Sequence, residues 1–416
     1  MQHLSPAVLP APKEANKPDR FSLSGQRLPL VSLILCNWNY GEFVGLMIDS
    51  IRAQTYPNIE AVVIDNASTD GSREIIARHI AADPRFRVVH APENEGPMGA
   101  ALRGLAMTTG SLVCFLDADD YLLTDYVSTH VQVHLALPLA VAVTSGNVIE
   151  VAKDGTIICA SRSPFARERP AEKRGLRPAG VVPRVEAIDD ETYLALSGRV
   201  CRVDPQERGS HWSPGTANCY RRFILDMVKP QNPAAIKYIS PDGHFTRMCH
   251  WLAGSAIIDK PLSAYRLHGN NYYVAAPSVT GIIASGGPAL KNIPLRRREI
   301  LRLILERALP LSLQIGKARY WDVLEQSIEV LSGPLEIELR NDEVRSLFAS
   351  SFPKIVEHFG ARVALHKLGK RMSFRRLRQI VRQAYDGKVP ARITRLMILE
   401  EVKSFVSLRR FRRRGR

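Results

Sequence analysis

The 416-residue chain has only six cysteines, Cys36, Cys114, Cys159, Cys201, Cys219 and Cys249, and none forms a C-x-x-C pair or a zinc-like spacing. That excludes a disulfide-dense scaffold and a Cys-ligated zinc module, and it points to a reducing compartment, hence the cytoplasm. Apolar runs are short. The best, Leu135 to Val143, contains Pro138 and falls far below the ~20 residues that a membrane-spanning helix requires. Residues 1–28 are rich in Pro, Ala, Lys and Ser and lack the apolar segment of a signal peptide, so they read as a flexible leader. Also missing is the G-x-G-x-x-G fingerprint of dinucleotide binding: Asn37-Trp38-Asn39-Tyr40-Gly41 stands where it would fall. No internal repeat is detectable.

What is present is an ordinary globular balance, 45% hydrophobic and 24% charged, with an unusual net charge of +16. Residues 1–290 hold 28 basic and 28 acidic side chains, whereas residues 291–416 hold 29 basic and 13 acidic. The whole excess lies in the last third.

The front is patterned as alternating strands and helices. Apolar runs at 30–36, 59–65, 86–90 and 111–116 alternate with helical patterns at 41–54, 72–82 and 98–108. That alternation predicts an α/β fold on a parallel sheet with right-handed crossovers. A hairpin follows over 144–160, turning at Lys153-Asp154-Gly155-Thr156. Residues 161–210 are polar and weakly patterned, the mark of a binding loop or lid. Asp65 closes the second strand, and Asp117, Asp119 and Asp120 follow the fourth. In open parallel sheets ligands bind beyond the carboxyl ends of the strands. Carboxylates there suit a hard divalent ion, Mg²⁺ or Mn²⁺, held together with substrate phosphates.

Several segments then occur in a telling series: Val31-Ser32-Leu33-Ile34-Leu35, Asn37-Trp38-Asn39-Tyr40-Gly41, Gln54 to Glu60, Val63 to Gly71, Asn94-Glu95-Gly96, and Phe115 to Asp120. In order and spacing the series resembles the family 2 glycosyltransferases. Less dense matches continue through residues 212–273, at Ser213 to Arg222, Pro241 to Phe245, Asp259 to Leu262 and Tyr265 to Asn271. The resemblance implies a GT-A fold, a Rossmann-like mostly parallel sheet, over residues 29–275, with 161–210 as acceptor loop or lid. It implies a non-processive, inverting, metal-dependent transfer of sugar from a UDP-, dTDP- or GDP-linked donor to a glycan or lipid-linked acceptor in surface glycan assembly. Residue by residue, it makes Asn37, Asn39, Asp65 and Asp117 nucleotide-sugar contacts, with Asp65 accepting from a base imide N–H and Asp117 near the ribose. Asp119 becomes the direct metal ligand, Asp242 the general base, and Asn218 an acceptor contact. His268 would bind the metal or a diphosphate oxygen.

Some residues have plainer readings. Asp70 caps the following helix, and His244 and His250 are packing residues. His268 could equally stabilise its loop, and Asn218 could simply bond backbone. Trp251 with Arg247 has the wrong spacing for the signature of processive synthases. Three departures from the family pattern stand out: Asn66 where a second Asp is common, Ala101-Leu102 where many relatives have Arg-Asn, and Pro241 before Asp242.

Residues 291–416 lie outside the resemblance and read as a basic α-helical extension, with helical patterns at 295–309, 319–331 and 362–384. Arg371, Arg375, Arg376, Arg378 and Arg382 alternate there with Leu365, Leu368, Leu377, Ile380 and Val381. Basic amphipathic helices of this kind commonly lie on anionic membrane surfaces, so peripheral attachment to the inner face is the expectation. A solvated face, or an anionic glycan or protein partner, would also fit, while nucleic acid is disfavoured for want of a recognised module. A rival from another class is a non-catalytic interaction protein that kept the fold and acts through this basic end.

Overall fold

The structure, a computed structural model, describes residues 28–81, 83–161, 176–178, 196, 199–209, 211–230, 232–271, 292–331 and 335–414. All but the last residue of the 1–28 leader and most of the 161–210 loop lie outside the described residues.

The front half alternates as the sequence predicts. The strands are β1 (Val31–Asn37), β2 (Ile59–Asp65), β3 (Phe86–His90) and β4 (Leu112–Asp117), linked by helices α1 (Gly41–Arg52), α2 (Ser72–Ile80) and α3 (Gly96–Ala106). All three pairings among these strands are parallel, in the order β3-β2-β1-β4. The chain therefore leaves β1 toward one edge and returns at β4 on its other side. That switch point opens a crevice at the carboxyl ends of β1 and β4, where Asn37 and Asp117 stand.

Beyond β4 the sheet becomes mixed. The remaining strands are β5 (Tyr121–Leu122), β6 (Val143–Ala152), β7 (Ile157–Cys159), β8 (Leu176–Pro178), β9 (Val200–Val203), β10 (Asn218–Arg221) and β11 (Ser255–Leu267). The short β10 lies antiparallel between β4 and β6, and the long β6–β11 pairing is again parallel. The hairpin of β6 and β7 turns at the predicted residues. Helix α4 (Tyr126–Ala136) carries no helical signal in the sequence, because Tyr126 through His134 are all buried and no polar face sets a period.

Helices α5 (Arg222–Met227) and α6 (Pro241–Ala253) complete the front. The last third holds α7 (Ile293–Glu306), α8 (Ala308–Ile315), α9 (Lys317–Glu329), α10 (Leu335–Glu338), α11 (Asp342–Phe359), α12 (Ala361–Gly369), α13 (Phe374–Ala384) and α14 (Ala391–Arg414). The single helix expected over 362–384 is two, because Ser373 accepts a hydrogen bond from the Arg376 amide and starts a new one.

This helical third shares its interior with the sheet. One continuous apolar cluster joins Val113, Phe115, Tyr220, Phe245 and Met248 to Ile300, Ile304, Leu324, Phe352, Leu377 and Ile380. The Tyr320 ring stacks on Phe359 at 4.9 Å, with Trp321 against both. An Arg319 guanidinium N–H donates to the Pro205 carbonyl at 2.7 Å and another contact reaches the Trp251 carbonyl. The apolar face of α13 is thereby spent on the core: Leu377, Ile380 and Val381 are buried. Trp321→Ala is expected to lower unfolding stability by about 3–5 kcal/mol. Calorimetry should show the sheet and the helices melting together; a separate, unshifted transition for the sheet would contradict the shared core.

Candidate active site

The loops after β1 and β2 are locked to each other before they meet any ligand. Asn39, with φ +57°, accepts from the Thr69 amide at 2.8 Å, and its own amide donates to Ser68 Oγ at 3.0 Å. Asp70 accepts from the Gly41 and Ser72 amides at 2.9 and 3.0 Å, so one carboxylate serves the first turns of both α1 and α2. Its expected capping role thus extends to a second helix.

Asp65 lies beneath this layer, wholly buried. It accepts from Arg73 Nε at 2.9 Å, His90 Nδ1 at 3.0 Å and the Ser68 amide at 3.3 Å. Burial would raise its pKa, but hydrogen bonds from Ser68, His90 and Arg73 hold it below the usual carboxylate value. Asn37 Nδ2 donates to Ser68 Oγ at 3.1 Å and approaches Asp65 at 3.5 Å. Its Oδ1 is buried without a hydrogen-bond partner among the described residues.

Asn66 departs from the common Asp for a visible reason. Its amide donates to Asn94 Oδ1 at 3.0 Å and the Gly96 carbonyl at 3.2 Å, while its oxygen accepts from the Glu95 amide at 2.9 Å. A carboxylate could not make the two donations. Gly96 is needed where it is: at φ +70°, an added Cβ would lie 2.1 Å from the Lys237 carbonyl oxygen.

The acidic turn after β4 is clamped from outside. The Arg266 amide donates to Asp120 at 3.1 Å, its Nε to the Asp119 carbonyl at 2.9 Å, and its guanidinium lies 4.9 Å from the Phe43 ring centre. His268 Nε2 meets Asp119 Oδ2 at 2.9 Å, with its ring packed against Tyr40 and Phe43. Asn271 fixes that loop, accepting from the His268 amide at 3.0 Å and donating to the Arg266 carbonyl at 2.7 Å.

Asp242 arrives from another element. Pro241 opens α6, which suits a first helical position, and leaves Asp242 in the first turn with Ser240 Oγ as its donor. Facing it is the turn at 213–217, pinned by Asn218, whose Nδ2 donates to the Ser213, Pro214 and Gly215 carbonyls at 3.1–3.2 Å. Thr216 Oγ1 accepts from the Asp117 amide at 3.1 Å. Gly215 has no side chain to spare: a Cβ there would fall 2.7 Å from Asp117 Oδ2 and 3.8 Å from the Asp242 carboxyl carbon.

Asn37, Asp117, Asp119 and Asp242 together line one cleft of about 580 Å³. Asp65, Asn218 and His268 stand behind its walls and bond to lining residues, whereas Asn39 is exposed and bonds Ser68 and Thr69 outside the lining. Sequence reading missed much of the rest of the lining, including Trp38, Tyr238, Arg247 and Arg296. Trp38 and Tyr238 are exposed aromatics at the cleft, a signal that only the fold makes readable. Asp117 is pushed well above the ordinary carboxylate range by burial, then by Asp119, Asp120 and Asp242. Asp242 is raised by burial and partly restrained by the Gly243 amide and the Arg296 charge.

Residues 32–174 match the sequence profile of Glycosyl transferase family 2. Over that stretch the chain is similar to the family 2 glycosyltransferases. Among curated relatives, an uncharacterized glycosyltransferase of Nostoc sp. is 28% identical over 260 residues, covering 60% of this chain and 68% of the relative. EpsH of Bacillus subtilis, named as a glycosyltransferase, is 33% identical over 246 residues, 58% of this chain and 61% of EpsH. A glycosyltransferase of Haemophilus influenzae is 36% identical over 120 residues, 29% of this chain and 47% of the relative. The chain thus spans between about half and two thirds of these relatives. The S. aureus TarS 1–349 structure aligns with a TM-score of 0.43 at 15% identity, covering 86% of this chain and 88% of that one.

The acidic centre sets the sign of a stability effect. A carboxylate whose folded pKa lies above its unfolded value stabilises the fold only while protonated, and that contribution is lost as pH rises through the folded pKa. Asp117→Asn is therefore expected to raise the melting temperature of the ligand-free protein at pH 7, by about 2–4 °C per kcal/mol relieved, and to leave it nearly unchanged at pH 4. Equal or lower stability at pH 7, read by differential scanning fluorimetry, would contradict the crowding of these carboxylates.

Proposed function

We propose that the chain transfers a sugar, with inversion, from a nucleotide-linked donor to an acceptor hydroxyl, one sugar at a time, in the assembly of a surface glycan. The observation that carries the reading is the convergence of Asp117 and Asp119, from the end of β4, with Asp242, from α6, on one cleft at the sheet's switch point.

The residues fit a divalent ion. Asp117 has three acidic neighbours raising its pKa and no basic group among the charges that shift it, so a cation is the missing counter-charge. Oxygen donors with one imidazole suit Mg²⁺ or Mn²⁺, and Asp119 with His268, backed by Asp117, would hold it. Among the described residues no three His, Cys, Asp or Glu side chains form a ready ligand set, as expected where substrate phosphates complete the shell. When bound, the ion neutralises charge that grows on the departing diphosphate.

This chain's own residues do the rest. Asp65, with the buried and unpartnered Asn37 Oδ1 beside it, is the acceptor for a base imide N–H. Uracil, thymine and guanine all offer such a donor, which fits UDP-, dTDP- or GDP-sugars. Asp242 accepts the proton of the acceptor hydroxyl as that oxygen attacks the anomeric carbon. Its raised pKa brings it nearer neutrality, where a base is most effective, while the Gly243 amide and Arg296 keep it ionisable. Asn218 acts on the acceptor side by fixing the 213–217 turn.

With Mn²⁺ or Mg²⁺ and a panel of UDP-, dTDP- and GDP-sugars, the protein should transfer or hydrolyse at least one donor. Asp242→Asn should lower kcat by about 10²–10⁴-fold and flatten the fall in rate that the intact enzyme shows as pH drops into the acid range. Asp119→Ala should be inactive with every donor. Full activity in both variants would overturn the mechanism; no metal-dependent nucleotide binding at all would favour the non-catalytic reading.

Attachment to the inner membrane face narrows to α14, since the apolar face of α13 is buried. No helix among the described residues is long and apolar enough to cross a membrane. On α14, Ile398, Leu399 and Val402 are exposed, and seven Lys or Arg follow Val402 in the sequence. We expect the full chain, but not a truncation ending at Val389, to float with anionic liposomes. Equal flotation of the two would remove the tail from the account.

A further inference from the structure

The cleft has a second pole that the donor chemistry does not use. Helix α6 brings Arg247 to it, just over a turn beyond Asp242, and α7 of the basic third brings Arg296. Among the described residues neither guanidinium has a carboxylate within ion-pair distance, although their neighbours do. Arg298 pairs with Glu338 at 3.5 Å, and Arg302 pairs with Glu299, Glu306 and Glu343. Arg296 Nε is buried without a hydrogen-bond partner. Arg247 is pushed down to about 10 by burial, then by the charges of Arg296 and Arg297, and its guanidinium lies 5.8 Å from the Trp251 ring centre. Cations crowded together are costly, and the described carboxylates offset Arg296 only at longer range, through Asp242.

Asp242 feels both poles, since it is among the charges that raise Asp117 and is itself lowered by Arg296. The charges that shift Asp117 are all acidic, whereas the charge that shifts Asp242 is Arg296. A donor diphosphate belongs at the acidic pole with its divalent ion. The acceptor must bring its hydroxyl to Asp242, so groups attached to it extend toward the arginines. We propose that Arg247 and Arg296 bind a phosphate or phosphodiester carried by the acceptor, and so select an anionic acceptor. Guanidinium forks match phosphate oxygens two at a time, which gives register as well as affinity. The proposal rests on the reading of Asp242 as the base that meets the acceptor.

The test uses the full chain with inorganic phosphate and glycerol 3-phosphate as probes, in EDTA, followed by thermal shift. UDP with Mn²⁺ is measured separately. A saturable stabilisation by both phosphate probes is expected, with half-saturation weakened about tenfold or more in Arg247→Gln and in Arg296→Gln. Arg296→Lys keeps the charge without the fork and should fall between. The UDP–Mn²⁺ shift should survive in all three. Phosphate shifts that are absent in the intact protein, or unchanged in both Gln variants, would overturn the proposal. So would loss of the UDP–Mn²⁺ shift together with the phosphate shift, which would assign the arginines to the donor. Failure of UDP–Mn²⁺ binding in the intact protein would instead count against the glycosyltransferase reading, and the phosphate arm would still report on the arginines.

Discussion

Four carboxylates are brought to one end of one sheet, and two of them, Asp117 and Asp242, approach each other across a residue with no side chain. Burial is the largest influence on both, followed for Asp117 by the neighbouring acids. Much of the surrounding structure holds the arrangement open. Arg266 grips the 119–120 turn through backbone atoms as well as a carboxylate, Asn218 ties down the turn that carries Gly215, and Thr216 accepts from the Asp117 amide. Most of these supports are neutral or act through main chain, so they fix position without cancelling charge.

The catalytic half was largely legible in the sequence. Strands β1 to β4 and their helices follow from hydrophobic period and turn chemistry, and the acidic residues at strand ends locate the crevice before any contact is known. What could not be read was anything set by tertiary partners. Helix α4 has no outward face, so its sequence has no period. Asp65 and Asn218 were recognisable as important, but only the structure separates residues that line the cleft from residues that brace those lining it. Trp38, Arg247 and Arg296 lie near recognised motifs or outside them, and nothing local announces that they share a cavity.

Charge counting divides the chain into a neutral front and a basic rear, and the two share one interior. The rear contributes to the same apolar cluster as the sheet, and its first helix lends a guanidinium to the cleft. An amphipathic pattern alone does not say what covers the apolar face; for α13 the answer is the protein itself, while α14 keeps exposed apolar residues.

The shared interior has a consequence for how such a chain can be altered by recombination. A crossover between residues 275 and 291, where composition marks a seam, would separate Phe245 and Met248 from Ile300 and Ile304, cutting through close-packed side chains rather than between them. A front half borrowed from a relative with another donor preference would have to match this chain's helices in shape before its chemistry mattered. Front and rear-helix sequences are therefore bound to change in step, and Arg296 makes one wall of the cleft part of that inheritance.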